Sequence, residues 1–333
     1  MARLSISDSV LSSVLSKYPL SQARVLNVLE SSKRNDNFVI ENVSGKRYVL
    51  RRYRRNNQEA RVRFQLYFQQ HIESSGFPTS EIIRTISNDV LVIEEDSPWV
   101  LFSFIEGKEY DFGRVKQVIE AARRLAQFHT VTKTLKHEEV VLNISRMPDW
   151  WIDSEREISM LNEFFTGKGV EKELVCIREY VDELIHECPS DRAAALQLSW
   201  VHGDYHGRNM VFVKDEMRGL FDFDVVHYGY RIEDIYRAIF MFGRHNWESS
   251  VIRTDVAQAF LEEYMRNTEL QQEELETLPI IAALDWVPFA SYFVMLQRDG
   301  ENTVSYLESF VKTMRTMRSE MKRLESIFRG LYT

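Results

Sequence analysis

The spacing of apolar and polar positions changes period near residue 105. Before it, residues 24–29, 38–43, 46–53, 82–86, 90–94 and 99–104 are short runs rich in β-branched and aromatic side chains and bounded by turn formers. Such runs predict strands. Ser44-Gly45, between the second and third runs, predicts a hairpin. One longer segment, residues 58–75, has helical spacing, and Gly76 and Pro78 end it in the order a helix terminus favours. After residue 107 the helical period takes over. Val115, Val118, Ile119, Ala122, Leu125, Ala126 and His129 make one stripe. Further helices are expected over 151–165, 170–188, 231–243, 254–267, 271–284 and 303–328, the last with a Met-rich face suited to packing. Residues 200–224 interrupt them with strand-like runs. The expectation is an α+β chain: a small antiparallel-sheet lobe with one helix, residues 1–104, and a larger, mostly helical lobe, residues 105–333.

Composition narrows the setting. Of 333 residues 44% are hydrophobic and 28% charged, an ordinary globular balance. Lys and Arg number 42 against 50 Asp and Glu, a net charge of −8, so no nucleic-acid partner is expected. The one dense basic segment, Arg51-Arg52-Tyr53-Arg54-Arg55, reads equally well as a solvated strand end. Cys176 and Cys188 lie 12 residues apart, about 18 Å along a continuous helix, too far for a disulfide. Two cysteines so placed fit a reducing compartment. The opening MARLSISDSV lacks the pattern of a secretion signal, and the apolar stretch 280–296 is broken by Asp285 and Pro288. A cytoplasmic chain without a membrane partner is expected, its state open between monomer and homodimer.

The chemistry concentrates in Trp200-Val201-His202-Gly203-Asp204-Tyr205-His206-Gly207-Arg208-Asn209-Met210, followed by Phe221-Asp222-Phe223-Asp224. A strand runs into a loop bearing Asp204 and Asn209, and a further strand pair delivers Asp222. Phosphoryl transfer needs these groups: a carboxylate to orient the attacking hydroxyl and take its proton, and an amide oxygen and second carboxylate to hold magnesium against phosphates. Asp204 and Asn209 have the D-x-x-x-x-N interval of kinase catalytic loops.

His202-Gly203-Asp204-x4-Asn209 with the Phe221-Asp222-Phe223-Asp224 strand end resembles the paired motifs of the aminoglycoside phosphotransferase-like superfamily, which includes choline, ethanolamine and type II homoserine kinases. Arg231-Ile232-Glu233-Asp234-Ile235-Tyr236, Leu125-Ala126-Gln127-Phe128-His129 and Phe104-Ile105-Glu106-Gly107 resemble three more of its motifs, in family order across residues 25–245. The resemblance implies a bilobal protein-kinase-like fold using ATP and Mg2+. It implies Asp204 as catalytic base, Asn209 and Asp222 as metal ligands, and Phe104 and Ile105 at the adenine hinge. It makes His202 structural and Asp234 a brace of the catalytic loop.

Two places depart from the family pattern. Where a lysine usually meets the phosphates, Arg51 ends the strand, sharing a face with Val49, which would lie over adenine. The usual glutamate partner falls near Gln65. Between the first strands, residues 31–38 hold no glycine; Ser32 and Asn37 either meet phosphate or belong to a plain hairpin turn. Arg51 and Gln65 keep open a nucleotide-binding pseudokinase.

For the acceptor, Tyr205, His206, Asp224, Tyr228, Arg231, Trp151 and Trp286 are candidates, since carboxylates and aromatic faces both suit ammonium groups. Tryptophans at helical spacing equally suit packing, and His129, on an apolar face, suits a hydrogen-bonded packing role. A small-molecule kinase acting on an amino alcohol, homoserine or sugar is expected. An antibiotic phosphotransferase and a protein Ser/Thr kinase stand as alternatives, the last weakened by the ten or so residues between Asp222 and the next helix.

Overall fold

A computed structural model describes residues 6–20, 22–32, 35–54, 57–135 and 149–330. In chain order, α1 (Asp8–Leu15), β1 (Arg24–Ser32), β2 (Asn35–Glu41), β3 (Arg47–Tyr53), α2 (Glu59–Ser74), β4 (Ile82–Ile83), β5 (Val92–Glu94) and β6 (Ser97–Ser103) come first. They lead into α3 (Val115–Val131), α4 (Trp150–Phe165), α5 (Glu171–Glu187) and α6 (Ser190–Ala194). Strands β7 (Leu198–Val201), β8 (Met210–Val213), β9 (Glu216–Leu220) and β10 (His227–Tyr230) follow. The chain ends with α7 (Ile232–Gly243), α8 (Thr254–Asn267), α9 (Gln272–Asp285), α10 (Ala290–Arg298) and α11 (Thr303–Gly330).

Packing groups these elements into two compact units, neither a single stretch of chain. One holds the described residues of 1–110, 130–143 and 208–226, the other those of 111–129, 144–207 and 227–333.

In the first unit the strands form an antiparallel sheet in the order β1-β2-β3-β6-β4, with β5 also on β6. Alternation along each strand decides what its faces meet. Tyr48 and Leu50 of β3, Trp99 and Leu101 of β6, and Phe38 and Ile40 of β2 pack with Val10 and Val14 of α1. Tyr53 of β3 and Val100 and Phe102 of β6 pack instead with Val62 and Leu66 of α2, and Val49 joins them. Cover on both faces explains why Trp99, Val100, Leu101 and Phe102 form an unbroken apolar run. The expected hairpin forms at residues 42–46: Gly45 has φ +78°, and Asn42 Oδ1 accepts the N–H groups of Ser44 and Lys46 at 3.1 and 2.9 Å.

Helix α1 was not expected from the pattern. Its eight residues include Ser9, Ser12 and Ser13, and only Val10 and Val14 are buried. Serine competes for backbone hydrogen bonds, so this helix depends on its cap and its packing. Ser7 supplies the cap, accepting the Val10 N–H at 3.3 Å.

The β8–β9 hairpin belongs to the same unit. Lys108 and Phe212 exchange backbone hydrogen bonds of 2.9 and 2.7 Å, and the Thr79 hydroxyl donates to the Leu220 carbonyl at 2.9 Å. The approach is close enough to require glycine at 107: a Cβ there would stand 2.9 Å from the Phe212 carbonyl oxygen.

The second unit is helical apart from the antiparallel pair β7–β10. Its core joins Trp150, Leu161 and Phe165 of α4, Ile177 and Leu184 of α5, Ala283 and Leu284 of α9, Phe293 of α10, and Leu307 and Met314 of α11. The methionine face expected on the last helix is buried at Met314, Met317 and Met321. Residues 272–298 are long and apolar enough by composition to cross a bilayer, yet 61% of an apolar 18-residue stretch within them is buried inside the protein. A break at residues 286–289 divides it into α9 and the unexpected α10.

Candidate active site

In the second unit, β7 ends at Val201 and the motif loop begins. Asp234, in the first turn of α7, fixes the loop. One of its carboxylate oxygens accepts the His202 N–H at 2.7 Å, the other the Gly203 N–H at 2.9 Å. His129 of α3 stands 3.3 Å from Asp234 through Nε2 and 2.8 Å from the Tyr264 hydroxyl through Nδ1. Burial opposes charge on Asp234, but the His129 hydrogen bond and nearby His202 hold its carboxyl below the usual range. Gly203 turns the backbone at φ +76°. His202 is fully buried, and its Nδ1 accepts the Asp204 N–H at 3.2 Å.

Asp204 therefore leaves a rigid backbone. His206 Nε2 lies 3.3 Å from its Oδ1, and its side chain keeps 32% exposure. Burial pushes this carboxyl up. The hydrogen bond and charge of His206, then Arg237 and His202, overcome that and hold it well below the usual range. A group so held stays a carboxylate and can accept a hydrogen bond from an acceptor hydroxyl.

From Arg208 to Val226 the chain belongs to the first unit. The Asn209 carbonyl accepts the Phe221 N–H at 2.8 Å, which sets Asn209 beside the strand end carrying Asp222. Asp222 adopts φ 65° and ψ 66°, a left-handed conformation uncommon outside glycine. Its side chain is 29% exposed. Among the described residues no group of three or more His, Cys, Asp or Glu could hold a metal, which excludes a zinc-type cage there. Magnesium on phosphate needs less: one or two oxygen donors from protein, the rest from phosphate and water. Asn209 and Asp222 are hard oxygen donors of that kind, partly exposed, and they fit the ion.

Arg51 lies in the same unit. Its Nε donates to Asn37 Oδ1 at 2.9 Å, and its Nη1 is 3.5 Å from Asp222 and 3.8 Å from Asp224. Gln65 does not serve as its partner; its amide reaches the Asp224 carbonyl at 3.5 Å, beside Arg61 at 3.0 Å. Asp224 is 3% exposed and accepts from Asn35 Nδ2 at 2.8 Å, so it binds β2 to the strand end. Val49 is paired with Val39 and Phe102. A Cβ on Gly219 would fall 2.7 Å from Ile105 Cδ1 and 2.8 Å from the Phe221 ring, so glycine there lets both side chains pack onto the β9 backbone. Phe104 donates its N–H to the Arg47 carbonyl at 3.3 Å, and the Arg47 guanidinium stacks 4.5 Å over its ring. The backbone of Ser32 pairs with Asn35, while its side chain, with residues 33 and 34, lies outside the described residues.

The residues expected to meet an acceptor are spread more widely. Tyr205 is fully buried and donates its hydroxyl to the Ala121 carbonyl at 2.8 Å. Arg231 makes a buried two-pronged pair with Glu274, its Nε at 2.7 Å. Trp151 donates to the Cys188 carbonyl at 2.6 Å and meets Tyr230 edge-on. Trp286 packs edge-on against Phe240, and Tyr228 against Trp200. His206 touches Asp204, its Nε2 3.3 Å from Oδ1. Not foreseen were Asn35, whose bond to Asp224 is invisible without the sheet, and Arg237, which pairs with Asp285. Arg237 had a signal: it stands one helical turn beyond Asp234.

This fold is that of protein-kinase-like phosphotransferases. A microcompartment-associated aminopropanol kinase matches with TM-score 0.69 at 15% identity, covering 96% of this chain and 98% of that one. An amicoumacin kinase solved with AMP-PNP and Ca2+ matches with TM-score 0.66 at 15% identity, covering 93% of each. The chain belongs to the phosphotransferase enzyme family, whose sequence profile matches residues 25–270. A homoserine kinase of Hyphomonas neptunium is 24% identical over 223 residues, 66% of this chain and 63% of that protein.

Proposed function

We propose that the protein transfers the γ-phosphoryl group of ATP to the hydroxyl of a small, amine-bearing metabolite. The observation that carries this reading is Asp204, ionised, partly exposed and fixed on a loop whose backbone Asp234 clamps. The acceptor oxygen attacks the γ-phosphorus, the bond from that phosphorus to the β-phosphate oxygen breaks, ADP leaves, and the hydroxyl proton passes to Asp204. Asp204 orients the nucleophile; with its carboxyl held low it is a weak base, suited to taking the proton late. Arg51 and Asn37 serve the phosphates, and Val49, Phe104 and Ile105 serve the base. Asn209 and Asp222 would hold magnesium, which supplies positive charge against the phosphates when bound. Residues 1–104 are the nucleotide lobe and 105–333 the acceptor lobe in this reading.

One observation favours a second reading, nucleotide binding without turnover: Arg51 replaces the usual lysine and pairs with Asp222. ADP release from ATP with magnesium, measured across amino acids, amino alcohols, sugars and aminoglycosides with Asp204→Ala as blank, decides. Turnover lost in the blank supports the kinase. ATP binding with no turnover on any acceptor supports the second reading.

A further inference from the structure

One face of α2 meets the Asp222 strand end through three residues at helical spacing, Arg61, Gln65 and Phe68. Arg61 Nη2 donates to the Asp224 carbonyl at 3.0 Å, and Gln65 Nε2 reaches the same oxygen at 3.5 Å. One turn further along, the Phe68 ring stands 6.1 Å from that of Phe223. The helix thus takes hold of the two residues after Asp222, all of it within the first unit. Asp224 is held through its side chain as well, its Oδ2 accepting from Asn35 Nδ2 at 2.8 Å. On the other flank of Asp222, the Phe221 N–H donates to the Asn209 carbonyl at 2.8 Å. Between these anchors Asp222 stands at φ 65° and ψ 66°. A residue other than glycine is strained in this left-handed region and stays there only where its surroundings leave no alternative. The chain turns tightly after it: residues 223–225 form one turn of 3-10 helix, and the Val226 N–H donates to the Phe223 carbonyl at 3.2 Å. Releasing the Asp224 carbonyl would let that turn and the Asp222 backbone relax together, and the carboxylate would swing with them.

We propose that Arg61 and Gln65 are positioning residues for the metal site: by fixing the Asp224 carbonyl they hold the backbone of Asp222, and with it the carboxylate offered to the metal. This rests on the role given to Asp222 in the kinase reading above. It supplies a link from α2 to the metal ligand that runs through a main-chain carbonyl and needs no glutamate on the helix. The donors suit the task. A carbonyl oxygen has two lone pairs and can take both at once, and the charge on Arg61 strengthens its bond. Neither donor uses the Asp222 carboxylate itself, which stays open to Arg51 and the metal.

The test reads metal binding rather than turnover. Mn2+, an oxygen-seeking ion like magnesium, is titrated into the protein with ADP and followed by electron paramagnetic resonance. Calorimetry measures ADP binding without metal. Arg61→Met should weaken Mn2+ binding about 10–100-fold, the loss that follows when a ligating carboxylate loses its support, and leave metal-free ADP binding within about twofold. Arg61→Lys, which keeps a cationic donor, should recover most of the affinity. Gln65→Leu removes the longer bond and should weaken Mn2+ binding less than Arg61→Met. In the Asp222→Asn background Arg61→Met should have no further effect, because it acts through that carboxylate. Mn2+ binding by Arg61→Met at wild-type strength overturns the inference. So does an equal loss of metal-free ADP binding, which would make Arg61 a support of the nucleotide lobe at large. If Arg61→Met does not fold, Gln65→Leu decides, and wild-type Mn2+ affinity there overturns the inference. Wild-type Mn2+ affinity in Asp222→Asn sinks the metal assignment, and this inference with it. Affinity lost in Asp222→Asn but kept in Arg61→Met sinks this inference alone.

Discussion

The Asp234 carboxylate accepts the backbone N–H of His202 at 2.7 Å, a bond made by a fully buried group to the loop that carries Asp204. The Gly203 N–H completes the grip on the second oxygen, and His129 approaches the first from behind. Asp234→Ala leaves two backbone donors without this acceptor. Breaking a buried charged contact of this kind costs about 3–5 kcal/mol. Urea unfolding should show that loss, and kcat should fall with it because the loop loses its support. A variant of wild-type stability would refute the clamp.

For Asp204, substitution by Ala should reduce kcat about 10²–10⁴-fold, the range for a positioned acid–base group, with ATP affinity kept. The pH dependence follows from the depressed carboxyl. Its folded value lies below its unfolded value of about 3.9, so its stabilising effect is complete above that pH. The effect is lost as pH falls through the lower folded value. Asp204 should therefore impose no acid limb on kcat between pH 5 and 8. His206→Asn removes the strongest of the groups opposing burial. The carboxyl should then rise, and an acid limb should move toward neutrality. Overlapping pH profiles of the variant and wild type would count against this pairing.

Much of this was legible in the sequence because it is periodic or local. The run over 99–104 reads as a strand, and the hairpin at Ser44-Gly45 follows from turn chemistry; that cover comes from both faces is seen only in the structure. The interval between Asp204 and Asn209, and the placement of Val49 and Arg51 on one face, are likewise local. The partners of Arg51 are not. Counting along the helix points to Gln65, whereas strand register makes Asn37 its neighbour, Asn37 pairing directly with Arg51. Register is a tertiary outcome. The short helices α1 and α10 were hidden for another reason: eight and nine residues carry too little propensity to announce themselves before packing acts.

A surface pair gives a gentler test of the small sheet unit. Arg63 of α2 grips Asp89 with two hydrogen bonds, of 2.6 and 2.9 Å. The Arg63 hydrogen bond, ahead of every other influence, lowers the Asp89 carboxyl to about 2. Because the side chains are 39% and 41% exposed, solvent screens the pair, and it contributes about 0.2–1 kcal/mol. The stabilisation is present above the unfolded carboxyl value near 4 and fades as pH falls toward 2. The gap in stability between wild type and Arg63→Ala should thus be small at pH 7, smaller in high salt, and should shrink further as pH falls toward 2.

Arg51 carries the sharpest question about the nucleotide. It is held by Asn37 on one side and by Asp222 and Asp224 on the other, so its position is set before any phosphate arrives. A positioned guanidinium can contact phosphate oxygens two at a time, which an ammonium cannot. Arg51→Met should raise KM for ATP tenfold or more, the loss of one or two charged hydrogen bonds. It should also destabilise the fold, since Asp224, 3% exposed, loses its nearby cation. Arg51→Lys keeps the charge but not the fork, and should fall between the two in KM. Asn37→Ala removes only the support from β2 and should weaken ATP binding less than Arg51→Met. If Arg51→Met binds ATP as the wild type does, the guanidinium serves only to hold Asp222 and Asp224 in place. Asp222 would then need another cation or a metal ion at its free edge to bind phosphate at all.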